Sequence, residues 1–385
     1  MAGAGFVSTF TVFGLAYSFG AFFRPISVEF GSSRAATSVV FSATVFVYAM
    51  LGMVTGQAAD RYGVRPMLVA GGLSLGAGLA LTALASRLWM VSVCFGLGVG
   101  VAVACGWVPM LAFVSRWFSR YRSMGLGAAV TGVGCGTLAV PTMAALLIET
   151  LGWRRTCVVL GAGGAALLLG CAWVTREPPG RVRGTASQVS LAATVRSAPF
   201  GILYLASLLF SMALFVPMVY LPPFAQERGF GRVAASALVG FVGAASVLGR
   251  VALGILGARA DTIRLFQASF LVMALSFIIW LDAGSYLWLV LFTLAMGTAY
   301  GGAVTLSPLV VAELFGLERL GTIIGILYTS LGVGTLLVLP VAGYLVDRTG
   351  SYRWAVLLAM GLAWAAFAAL LPLRSRAAAA RGLGR

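Results

Sequence analysis

The chain has 385 residues, of which 61% are hydrophobic and only 9% charged. A soluble domain carries about 25% charged residues, so a surface wetted by water throughout is excluded and most of it must face lipid. The net charge of +16 comes from 26 arginines against 10 acids; these are scattered over loops and speak against a nucleic-acid footprint. The absence of Lys and His excludes a histidine proton relay, a His-ligated metal and a Ser-His-Asp triad, and no cofactor is implied.

A helix crosses a bilayer with about 20 apolar residues. Twelve such spans are predicted, near 3–23, 37–58, 67–85, 88–112, 124–147, 155–174, 199–224, 233–257, 264–282, 286–308, 320–345 and 353–373. Met1 to Gly5 lacks a basic run and the first span is long, so no cleavable leader is expected. Between spans two and three lies Gly56-Gln-Ala-Ala-Asp60-Arg61-Tyr-Gly63-Val-Arg65. Its glycines allow close helix approach and a tight turn, and its acid and arginines can latch helix ends together. Span four contains Cys105-Gly-Trp107-Val-Pro109, and span five opens with Trp117-Phe-Ser-Arg120-Tyr-Arg122 followed by small residues. The five cysteines all lie inside apolar runs without metal spacing and read as small buried hydrophobes.

The longest polar stretch, Thr175 to Ser197, carries Glu177-Pro178-Pro179-Gly180 and divides the spans six and six. The expected organisation is a six-helix bundle over 1–174, a linker over 175–198, a second bundle over 199–373 and a tail over 374–385. Pro141, Thr150, Trp153 and Arg154 recur as Pro340, Thr349, Tyr352 and Arg353 at an offset of 199. The predicted fold class is therefore an all-α membrane protein with twelve transmembrane helices in two pseudo-symmetric bundles. Duplicated carriers of this kind hold their substrate at the bilayer midplane between the repeats. Sixteen arginines fall on the side of the linker and tail and nine on the other, which predicts that both termini are cytoplasmic.

One charge breaks the loop pattern. Arg250, in Gly243-Ala-Ala-Ser246-Val-Leu-Gly-Arg250 of span eight, lies nine residues before Arg259, about 13 Å into a core about 30 Å thick. Gly243, Ser246, Gly254 and Gly257 share its helical face and suit a surface turned toward protein or a cavity. An arginine at that depth costs about 2.5–3.5 kcal/mol on insertion scales and cannot shed its proton. All ten acids lie near span ends, so none is placed to neutralise it. Two readings are open: a fixed cation that binds an anion bidentately, or a structural arginine paired to backbone carbonyls.

The loop at 56–65 resembles the G-x-x-x-D-R-x-G-x-R motif of the major facilitator superfamily, which implies a twelve-helix carrier working by alternating access. In that family the motif, here Gly56, Asp60, Arg61, Gly63 and Arg65, stabilises the outward-open state. The segment from Trp117 to Gly132, with Arg120 and Arg122, looks like the signature opening helix five of the monocarboxylate transporters; the similar oxalate–formate exchangers are close by pattern. The family's acidic first-helix signature is missing.

The resemblance makes Arg250 the substrate-binding arginine and sets Trp107 and Tyr300 where relatives contact cargo, with packing as the alternative. Tyr17 stands where mammalian members hold a lysine, and Leu331 replaces the helix-eleven lysine of the oxalate exchangers. One cavity cation in place of two implies a monoanion. Glu227 falls where relatives carry an acid linked to proton coupling, the alternative being a solvated loop acid beside Arg228, while Ser246 replaces the family's helix-eight acid. The expected function is transport of a small monocarboxylate such as lactate or pyruvate with a proton, in a bacterial inner membrane. The rivals are an exchanger or exporter of another organic anion, a drug or a sugar, and a non-transporting membrane sensor.

Overall fold

The computed structural model describes residues 1–117, 122–175, 194–257, 260–316 and 320–373. Those residues form fourteen helices: α1 (Ala2–Tyr17), α2 (Phe19–Glu29), α3 (Arg34–Tyr62), α4 (Val64–Ala83), α5 (Leu88–Gly106), α6 (Val108–Trp117), α7 (Arg122–Leu151), α8 (Trp153–Val174), α9 (Ala198–Glu227), α10 (Arg232–Gly257), α11 (Thr262–Leu281), α12 (Tyr286–Phe315), α13 (Leu320–Thr349) and α14 (Arg353–Leu370). With α1–α2 and α5–α6 each counted as one, twelve are long and apolar enough to cross a membrane. In lipid a helix satisfies its backbone groups internally, which is why apolar runs of this length settle as helices. The polar linker and tail lie outside the described residues except at their edges, as does Arg120.

The packing repeats between halves. In the first, α1 lies on α7, α4 on α5 and α8, and α3 on α5; in the second, α9 lies on α13, α11 on α12 and α14, and α10 on α12. The halves meet where α3 packs on α13, α7 on α10 and α2 on α9. Small residues bring backbones together across the seam and within a half: a Cβ on Gly243 of α10 would crowd the Gly134 carbonyl of α7, and one on Gly301 of α12 would collide with the Ser246 carbonyl of α10. Such close approach is the main source of helix association where lipid removes the hydrophobic drive.

Two irregularities shape the centre. The first span steps at Ser18, whose hydroxyl donates to the Leu15 carbonyl at 2.7 Å. The fourth breaks at Trp107 (φ −100°, ψ −76°) because Pro109 has no N–H with which to continue the ladder. The connection between α3 and α4 is the single residue Gly63, at φ 90°, a conformation that disfavours any side chain. Beside it Arg61 is exposed, its guanidinium 5.3 Å from the Tyr62 ring. Arg65 is exposed and Gly56 faces Val108. The side chains of Asp60 and Arg122 lie outside what is described, and the expected latch with them.

At the opposite end the halves are tied. Arg34, the first residue of α3, gives its Nη2 to Glu227 Oε1 at 2.5 Å and its Nε to the Tyr352 hydroxyl at 3.1 Å. Asp347, at the end of α13, accepts the backbone N–H groups of Arg34 and Ala35 at 3.0 Å each. A carboxylate of the second half thus caps a helix of the first, satisfying donors that a helix start leaves open. The related acid of the first half, Glu29, is held within its own bundle by Arg154 at 2.7 Å and by the Trp153 indole N–H. The structure is closed at the Arg34 end.

Candidate functional site

Arg250 projects from α10 into the seam between the halves and is 8% exposed. Its Nη1 makes one long bond, 3.4 Å, to the Val130 carbonyl of α7, and its Nε is buried without a partner. Its guanidinium carbon lies 5.7 Å from the centre of the Tyr300 ring, a cation–π contact of modest strength. No carboxylate among the described residues comes within ion-pair range. A guanidinium has five N–H donors, so a single stretched bond leaves most of that capacity unused.

Around it stand aromatic residues from both halves. The Tyr300 hydroxyl of α12 lies 3.5 Å from that of Tyr17 on α1, which is itself 3% exposed. Tyr48 of α3 lies within electrostatic reach of both Tyr17 and Tyr300, and Tyr328 of α13 within reach of Tyr300 and Arg250. Phe13 joins the group, its ring centre 5.0 Å from Trp107 edge-on, 5.8 Å from Tyr17 and 6.2 Å from Tyr48. The Trp107 break therefore turns an aromatic side chain onto the wall of this cluster.

Of the residues singled out from the sequence, Arg250, Tyr300, Tyr17 and Trp107 come together. Leu331 sits half-buried one turn beyond Tyr328 on α13. Glu227 belongs elsewhere: it lies in the Arg34 ion pair at the closed end, while Arg228 turns away over the Phe224 ring, 4.6 Å from its centre. Tyr48, Tyr328 and Phe13 escaped the sequence reading. The available signal was mid-span tyrosine, since a buried hydroxyl needs a polar neighbour.

Chemically the cluster offers a desolvated guanidinium, neutral hydroxyls and aromatic walls. That combination is chemically suited to a planar anion: two parallel N–H bonds to a carboxylate, hydroxyls for a further oxygen, rings for an organic tail. The described cluster holds no acid or base suited to bond-making chemistry.

Fold and site together define a polytopic α-helical membrane protein of two similar halves with a buried guanidinium, free of any carboxylate among the described residues, at the centre of their seam. The family model of the Major Facilitator Superfamily matches residues 5–283 and 245–384. The chain belongs to that superfamily and is a transporter, and within the superfamily it is like the monocarboxylate transporters. Human monocarboxylate transporter 11 is 30% identical over 386 residues, covering 94% of this chain and 80% of that one. Rat monocarboxylate transporter 3 is 29% identical, covering 91% and 74%. A mutant form of the nucleoside transporter NupG superposes with a TM-score of 0.79 over 97% of this chain and 99% of that one. At 14% identity that likeness speaks to the fold alone.

Proposed function

We propose that the protein carries a small organic monocarboxylate of the lactate or pyruvate kind across a cytoplasmic membrane by alternating access. One observation carries this reading: a buried guanidinium with a free Nε and no carboxylate partner among the described residues. A charge so placed is costly alone and is matched when the cargo brings the missing anion. The relatives named as monocarboxylate transporters support the same substrate class. Four tyrosines and Trp107 supply hydrogen bonds and shape, and a single central cation fits a monoanion.

In this reading the halves 1–174 and 199–373 rock about the site, joined by the linker 175–198. The bias of sixteen arginines to nine supports cytoplasmic termini, which makes the Arg34 end external and the external side the closed one. The co-transported proton is assigned to Glu227: protonation would remove its charge from Arg34 and loosen the external seam. Proteoliposomes should take up labelled lactate, faster with an inward proton gradient, and unlabelled monocarboxylates should compete where cationic drugs and sugars do not. Glu227→Gln should retain uptake but lose its response to the gradient. Competition by a sugar or a cationic drug, without competition by any carboxylate, would overturn the substrate class.

A further inference from the structure

Among the described residues Arg250 is one of two arginines whose Nε is buried without a partner; the other is Arg232, the first residue of α10. The residues between them form one face. Ser236, one turn along, is 1% exposed and its hydroxyl is also unpartnered. Gly240 then meets Leu138, Gly243 meets Thr137 and Gly134, Val247 meets Gly134, and Arg250 reaches Val130. Spacings of three and four residues keep these positions on one side of a helix. The face runs antiparallel to α7 in steady register, the two residue numbers of each pair summing to about 380. It is therefore the inter-half seam itself, with an arginine at each end, their backbone positions about 27 Å apart at 1.5 Å per residue.

At its external end the seam widens into a pocket of about 380 Å³ whose lining includes Arg24 from α2, Glu149 from α7, and Gln226, Phe230 and Arg232 from the second half. None of Arg24, Glu149 or Arg232 makes an ion pair or a side-chain hydrogen bond with a described residue. Two guanidiniums against one carboxylate leave one net positive charge, and the amino end of the 26-residue α10 adds its partial positive charge there. A volume near 400 Å³ is ample for a small ligand.

We propose that this pocket is a second, external anion site, which captures a small monocarboxylate before the seam opens and passes it along the α10 face to Arg250. The inference rests on the transport reading above only for the identity of the passenger. Arg232 and Arg24 hold the anion from opposite halves. When the Arg34 ties release, α7 separates from α10, and the face carrying Ser236, Gly240 and Gly243 becomes the wall of the inward path. Glu149 limits the pocket to one compensated charge and so disfavours polyanions.

The test places a cysteine at Phe230 and labels it from outside, in intact vesicles, with an anionic sulfonatoethyl and a cationic trimethylammonioethyl methanethiosulfonate. The protein without Phe230→Cys supplies the background. The ratio of anionic to cationic rates should fall about 3- to 10-fold on Arg232→Gln and again on Arg24→Gln, the size expected for one charge at short range in a partly solvated site. Lactate or acetate should slow the anionic reagent even in an Arg250→Gln background, where the central site is lost. Inorganic phosphate, largely a dianion, should protect less. An unchanged ratio, or no protection in that background, overturns the external site. A wild-type protein that shows the ratio and the protection but never transports lactate leaves the external site standing and removes the transport reading instead. Where transport is present, Arg232→Gln should raise KM for entry several-fold at unchanged kcat for entry, while exit keeps its KM and loses kcat by the same factor, as detailed balance requires. An equal rise in both directions contradicts a capture role.

Discussion

Replacing Arg34 with Gln should open the external seam. The substitution removes the 2.5 Å pair to Glu227, a second contact of 3.7 Å to Asp347, and the bond to Tyr352. Both partners of the short pair are more than a third exposed, 34% and 43%, so solvent screening holds it to about 0.5–1 kcal/mol. The hydrogen bond to Tyr352 adds about 0.5–1 kcal/mol. The cap made by Asp347 on the α3 backbone survives, because it needs only the N–H groups of Arg34 and Ala35. The total, about 1–2 kcal/mol, moves the equilibrium between closed and open external ends by about 5- to 30-fold. Ser42 reports on this. It is fully buried, and its hydroxyl donates across the seam to the Thr335 carbonyl at 3.1 Å. Ser42→Cys should react with an impermeant maleimide from outside 5- to 30-fold faster once Arg34→Gln is added. An unchanged rate, with both proteins folded and inserted, would refute the assignment of this cluster as the external tie. Asp347→Asn should act in the same direction through the helix cap, by about 1 kcal/mol.

Three further outcomes follow from the packing. Tyr48→Phe and Tyr328→Phe should each weaken binding of a carboxylate cargo by about 0.5–1.5 kcal/mol, the worth of one hydrogen bond, read as a 2- to 12-fold rise in KM with protein stability intact. Gly301→Ala should lower thermal stability, because its methyl meets the Ser246 carbonyl; overpacking of this kind costs about 1–3 kcal/mol. It should also impair transport by shifting Tyr300 against Arg250. Gly63→Ala should reduce folded yield, since the one-residue link between α3 and α4 sits at φ 90°.

The helices could be read from the sequence because each is a long apolar run bounded by charge or by Gly and Pro, and lipid leaves such runs little choice of structure. Arg250 stood out by the same logic, as a charge too far from any end. The centre of the site was only half legible. Tyr17, Trp107 and Tyr300 were reachable by matching positions to a known pattern, but Tyr48 and Tyr328 converge on them through tertiary packing that no local period records. The acids show the limit most clearly. Glu29 and Glu227 occupy similar places 198 residues apart, yet one is held by Arg154 of its own half and the other by Arg34 of the opposite half. Charges at helix ends have several partners within reach, and their choice depends on how the halves are tilted, which composition does not encode.

Binding of labelled lactate to purified protein, compared among wild type, Arg250→Lys and Arg250→Gln, bears most directly on the role given to the buried guanidinium. Arg250→Gln should lose binding by 100-fold or more, about 2.7 kcal/mol or above, and Arg250→Lys should fall between, since a point charge lacks the paired donors. Undiminished lactate binding by a folded Arg250→Gln protein would contradict it.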